Sequence, residues 1–276
     1  MQCATVCQLR QLLARVVLTA LVLLLAGLVK LHYGPADAIQ LAWLLKPTAA
    51  LVGWLSGLEF VDQAGEGYFN ARQNLLIAPA CSGINFLVIA TAMGSLLGLF
   101  RLPTLRLQLA WLLLVAVLSF GLTLVVNSGR ILVAMALYQA DLTAMPLSQA
   151  QLHRIEGIVV YYLFLCFFSW LLSFILNKRN RSRHDGIGQQ ASGPGTLQAL
   201  WPLVCYLAFS LGIPLLNQAW QQQPGLFVEH SLTVAAVSIA LALILGWAQR
   251  WRSTQRPMKP HCPPSAYETD HTHCRG

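Results

Sequence analysis

Apolar runs that end against arginine or lysine constrain this chain more than any other feature. Ile84 to Phe100, Leu107 to Val126, Ile158 to Leu176, Leu200 to Trp220 and Leu232 to Ala248 contain no Asp, Glu, Lys or Arg. Leu12 to Leu31 is nearly as apolar and is entered through Arg10 and Arg15. A membrane-spanning helix needs about 20 predominantly apolar residues, so each run reads as a crossing. Charged residues make up only 10% of the chain, against about 25% in soluble domains. No large soluble core can be built from such a chain. The expected fold is all-α, a polytopic membrane helix bundle of about six spans.

Two apolar segments fit a crossing poorly. Ala36 to Leu58 carries Lys46-Pro47 at its centre, which would put a charge and a helix break at mid-membrane. Ile131 to Met145 is short and contains Asp141. Both are expected to be interfacial or re-entrant pieces, tolerated where protein or water covers the backbone. Leu58–Val61 and Asn74–Ile77 read as short strands of an outer hairpin, with Gly65-Glu66-Gly67 in the turn region. The first run resembles a signal peptide, but no A-x-A site follows Leu25, so a retained anchor is expected.

The net charge of +8 invites a nucleic-acid reading, which its distribution excludes. Basic residues sit in short patches beside the apolar runs, the pattern that orients membrane proteins. Six spans with both termini in the cytoplasm place Arg10, Arg15, Arg101, Arg106, the Lys178–Arg183 patch and the C-terminal cations on the inner side. Lys30, Lys46, Arg72, Arg130 and Arg154 remain outside. Residues 1–183 are expected to form a membrane core and 184–197, rich in Gly, Gln and Ser, a linker. Residues 198–250 would add a two-helix extension, and 251–276 a polar cytoplasmic tail without order.

This topology brings distant residues to one level. Ile84–Phe100 runs inward and Leu107–Val126 returns, each ~25–30 Å long, so Arg130 returns to the level of Cys81. Ile158–Leu176 must run inward to its basic stop, which leaves His153 on that same outer side. Cys81 is then the only outward-facing cysteine, without a disulfide partner on its side, and a lone thiol in an oxidising compartment calls for a reason. A Cys81 thiolate can attack a carbonyl. His153 can take the thiol proton and return it to a leaving amine. Arg130, always protonated, can hold a thiolate or an oxyanion. Against this, Arg130 could snorkel to headgroups and His153 could be an ordinary interfacial histidine.

Ala80-Cys81-Ser82-Gly83, Asn127-Ser128-Gly129-Arg130 and His153-Arg154-Ile155-Glu156-Gly157 resemble, in order, the Cys-Ser-Gly, Asn-x-x-Arg and His-x-x-x-Gly blocks of the exosortase/archaeosortase family. The likeness covers about Leu12 to Leu176 and is closest to the exosortase K type. It implies a membrane cysteine transpeptidase, with Cys81 as nucleophile, Arg130 as transition-state stabiliser and His153 as acid and base. Asn127 would support Arg130, and Gly83 and Gly157 would allow close helix approach. The implied substrates are exported proteins ending in a short motif, a membrane helix and a basic tail. Their new C-terminus would pass to a lipid or glycan acceptor at the outer face of the inner membrane. No cofactor is implied.

The competing expectation is a multi-pass transporter or channel, which many spans and an arginine at the membrane edge would also suit. Deep polar positions are scarce, however, and no internal repeat is visible. His261, Cys262, His271, His273 and Cys274 are metal-ligand types, but their spacing is unlike that of a zinc unit, and no metal site is expected.

Overall fold

The computed structural model describes residues 2–139, 148–181, 196–216 and 224–254. The chain folds as a helix bundle with one small sheet at one end. Its elements are α1 (Gln2–Tyr33), α2 (Ala42–Ser56), β1 (Val61–Gln63), β2 (Gly67–Asn70), β3 (Leu75–Ile77), a 3-10 turn (Pro79–Cys81), α3 (Ile84–Leu99), α4 (Leu105–Gln139), α5 (Gln149–Arg181), α6 (Thr196–Leu216) and α7 (Pro224–Thr254). Among the described residues, five helical stretches are long and apolar enough to cross a membrane: Leu9–Tyr33, Pro79–Leu99, Leu105–Gln139, Gln151–Lys178 and Phe227–Ala248. Large apolar side chains such as Leu113, Val117, Trp170 and Leu243 point outward from them, as lipid-facing positions do. This is an integral membrane protein.

α3 is the central helix. Almost all of it is buried, and α1, α4, α5 and α6 pack around it. Gly98 opens the space on α3 that receives Trp111 of α4, and Gly94, one turn earlier, makes room for Val115 of α4 and Leu172 of α5. The Trp111 indole N–H donates to the Gly94 carbonyl at 2.8 Å. A Cβ at Gly98 would lie 2.0 Å from Trp111 Nε1, so only glycine permits this approach. α1 is tied to the start of α3 and to the loop that follows its end. Lys30 donates to the Asn85 side chain, and Arg15 donates to the Leu102 carbonyl at the other end.

Several sequence expectations change. The run expected at Leu200–Trp220 is helical as far as Leu216 within α6, a helix of 21 residues, and 217–223 lie outside the described residues. Ile131 to Met145 is not a separate interfacial piece: Ile131–Gln139 continues α4 without a break, and 140–145 lie outside the described residues. Nothing in Asn127-Ser128-Gly129-Arg130 stops the helix, because a single internal glycine costs only about 1 kcal/mol. α2 has 15 residues, too short to span. It runs through Pro47 without breaking. Leu44, Leu45, Thr48, Ala49 and Val52 are its buried face, set against α4.

The expected hairpin is a three-stranded antiparallel sheet, in order β1-β2-β3. Leu75–Ile77 pairs with Gly67–Asn70 rather than with the residues around Val61. Gly65-Glu66 lies in the first turn, and β2 is the strand between them that short alternation did not reveal. The C-terminal helices are packed onto the bundle, α6 on α3 and α5, and α7 on α5 and α6. Trp201 of α6 donates to the Met93 carbonyl at 3.4 Å. The expected linker and tail lie largely outside the described residues, although 251–254 continue α7.

Gly67 supports the sheet that leads to Cys81. Its φ is +131°, and an added Cβ would meet the Ile77 carbonyl oxygen at 2.2 Å. Gly65, at φ +82°, has open space around it. Gly67→Ala is therefore expected to cost about 1–3 kcal/mol and to displace β3, while Gly65→Ala costs less. Thermal unfolding of the two variants in detergent, side by side, checks the order.

Candidate active site

The cysteine turn is built by three local features. Pro79 opens the 3-10 turn from an extended Ala78. Ser82 Oγ accepts from the Ile84 N–H at 3.4 Å. Gly83, at φ +77°, then turns the chain into α3. Gly83 is required a second time by its surroundings, because a Cβ there would sit 3.0 Å from Asn127 Cγ and 3.1 Å from Thr123 Cγ2. This close approach of α4 lets the Asn127 amide donate to the Cys81 carbonyl.

Asn127 is itself held from the other side. The Tyr161 hydroxyl donates to Asn127 Oδ1 at 3.0 Å, so a chain of hydrogen bonds runs from α5 through α4 to the cysteine backbone. The Tyr161 ring also carries the Arg130 guanidinium on its face, 5.3 Å from the centroid, a cation–π arrangement. Arg130 is 8% exposed and lies beside Cys81. Gly157 makes room for it, since a Cβ at that position would come within 3.2 Å of Arg130 Nη1. Nε and Nη2 of Arg130 are buried without a hydrogen-bond partner.

Cys81 and His153 line the same cavity, of about 320 Å³. Strand β3 forms one wall through Leu75, Leu76 and Ile77, and the overlong end of α4 forms another through Ile131, Ala134 and Met135. Its polar lining is Gln73, Asn74, Tyr138, Gln139, Cys81 and His153. Half of the His153 side chain is exposed, and its Nδ1 lies 3.6 Å from Glu156 Oε2.

The structure thus gathers Cys81, Asn127 and Arg130 tightly, with His153 lining the same cavity as Cys81 and with Gly83 and Gly157 as clearances. Sequence reasoning passed over Tyr161 and Glu156. Tyr161 lies inside an apolar run and read as an ordinary span residue. Glu156 stands within the third motif block, and its spacing from His153 was the available signal. Cys166 and Cys205 lie in α5 and α6, away from this end, Cys205 within the apolar core and Cys166 packed at its edge. Among the described residues no group of His, Cys, Asp and Glu could hold a metal ion. The His/Cys tail at 261–274 lies outside them.

The model of the transmembrane exosortase family matches residues 3–171. No curated protein sequence and no solved structure matches the chain. The matched stretch is more than half of the 276 residues and takes in the cysteine turn, the Asn127–Arg130 turn of α4 and the start of α5, so the protein belongs to the transmembrane exosortase family.

Proposed function

We propose that this membrane exosortase is a cysteine transpeptidase that cleaves the C-terminal sorting signal of exported proteins and passes the new carboxyl terminus to an acceptor. The observation that carries the reading is the cavity shared by Cys81 and His153 with Arg130 beside the thiol. Cys81 is the nucleophile. Its Sγ bonds to the scissile carbonyl carbon as its proton passes to His153. The tetrahedral oxyanion lies against the unpaired Nε and Nη2 donors of Arg130, groups already oriented and already desolvated. Collapse breaks the C–N bond, the leaving amine takes the proton from His153, and a thioester remains on Cys81. An acceptor hydroxyl or amine then attacks the thioester, loses its proton to His153 and returns the thiol.

The substrate is anchored by its own membrane helix, so it meets the site laterally and needs no soluble recognition domain. β3 is the sheet edge facing the cavity. An extended segment laid along it could add as a further strand, leading towards Cys81 at the end of the turn after Ile77. The described lining is uncharged apart from His153, which favours apolar side chains in the motif. The basic inner patches orient the site to the exterior of the cytoplasmic membrane, with both termini inside. A lipid or glycan acceptor fits that location.

Cys81→Ala should abolish processing of a co-expressed substrate, read as a mobility shift, with protein level unchanged. His153→Ala should slow it by about 10²–10⁴-fold. Arg130→Lys should also be severely impaired, because an ammonium lacks the planar fork that meets two oxygens. Wild-type processing by Cys81→Ala would rule out a cysteine mechanism. Ala134→Trp fills the cavity without touching the three groups and should raise KM far more than it lowers kcat.

A further inference from the structure

Glu156 has no part in the chemistry assigned to Cys81, Arg130 and His153, yet it lies among them. Its side chain is only 5% exposed, and neither carboxylate oxygen has a hydrogen-bond partner. A carboxylate buried without partners is strongly unfavourable, and an unsatisfied group of this kind in a native structure calls for a function. The obvious counter-ion would be Arg130. Among the described residues, however, Arg130 and Glu156 form no ion pair, and the basic residue within 4 Å of the carboxyl is His153, so Arg130 and Glu156 stand more than a contact apart. What Glu156 does face is His153, one helical turn before it, with Oε2 3.6 Å from Nδ1. That gap is slightly longer than a hydrogen bond, as catalytic contacts often are before substrate tightens them.

We propose that Glu156 is the positioning residue of His153, holding Nδ1–H so that Nε2 is the basic nitrogen turned to Cys81. The proposal rests on the cysteine mechanism above and adds the third member to its nucleophile–base pair. The carboxylate accepts from Nδ1–H and selects the tautomer. When the Cys81 proton moves from Sγ to Nε2, a thiolate and an imidazolium form, and Glu156 stabilises the imidazolium without taking its proton. That proton later leaves on the departing amine. The spacing follows from the helix: residues three apart on α5 share a face, so one turn supplies both groups in register. Burial on the apolar side of His153 strengthens the interaction. The other charged or titratable groups facing this pair are Arg130 from α4, Tyr161 from α5 and Cys81 from the 3-10 turn. Arg154 is directed away to Glu229, with His230 close by on α7.

The test reads the thiol directly and needs no known substrate. Full-length protein in detergent is alkylated with iodoacetamide across a pH series, and Cys81 modification is followed by peptide mass spectrometry, which separates it from the other cysteines. Glu156→Gln is expected to slow alkylation of Cys81 near neutral pH by about tenfold and to move the profile to alkaline pH by about one unit. Glu156→Asp should fall between this variant and wild type. In a His153→Ala background the same Glu156 substitutions should have no further effect, because the carboxylate acts only through the imidazole. A Glu156→Gln profile that overlays wild type, or an effect of equal size with and without His153, overturns the proposal. If Glu156→Gln does not fold, the Asp variant in the two backgrounds decides by the same criterion. Should His153→Ala alone leave Cys81 reactivity unchanged, the Cys81–His153 mechanism itself fails, whatever Glu156 does.

Discussion

The contact between Gly83 and Asn127 is the constraint from which the site takes its shape. Where the chain leaves the cysteine turn it needs a positive φ, and in the same place α4 comes so close that a methyl group would collide with Asn127 and Thr123. One glycine answers both demands. The approach then allows Asn127 to hold the Cys81 carbonyl, and Tyr161 to hold Asn127. Three elements distant in sequence are locked by two hydrogen bonds between groups taken out of water, where such bonds are strong and their loss expensive. A larger residue at 83 would separate α3 from α4 and release the cysteine together with the arginine.

The second constraint is charge in an apolar bundle. Arg130 and Glu156 are both buried, and desolvating each costs several kcal/mol. In a chain with only 10% charged residues, a buried arginine beside the thiol and a buried glutamate one turn from His153 are hard to explain by packing. Tyr161 moderates the cost by offering its ring face to the guanidinium. Gly157 supplies the space. Nε and Nη2 of Arg130 and both Glu156 carboxyl oxygens remain buried without hydrogen-bond partners in an otherwise hydrocarbon-like interior.

The cavity depends on a length mismatch. α4 is 35 residues long, about 50 Å at 1.5 Å per residue, and the bilayer core needs only about 30 Å. The surplus turns from Ile131 to Gln139 stand beside the sheet and enclose space with β3. Gln139 reaches across to Gln73 at 3.1 Å. The small sheet and the long helix therefore make one structure, and a helix that ended at Val126 would leave Cys81 on an open surface.

Much was legible from the residues. Apolar runs with basic stops dictate crossings because lipid offers the backbone no hydrogen bonds, and that rule needs no tertiary information. The alternation of crossings was enough to expect Cys81, Arg130 and His153 at one end of the bundle, and the family resemblance to expect Gly83 and Gly157 as places of close approach. What the chain alone could not decide was where helices stop when no residue forces them to. Ile131–Gln139 continues α4 alongside α2, where Leu132 and Met135 pack against the cluster that holds the buried face of α2. Strand pairing near Cys81 was equally hidden, since Gly67 is needed only once the Ile77 carbonyl lies against it. Tyr161 and Glu156 acquire meaning in the same way. Inside a run of apolar residues, or next to a motif histidine, neither announces its partner, because hydrogen bonds and buried charges are properties of neighbours that only the packed bundle supplies.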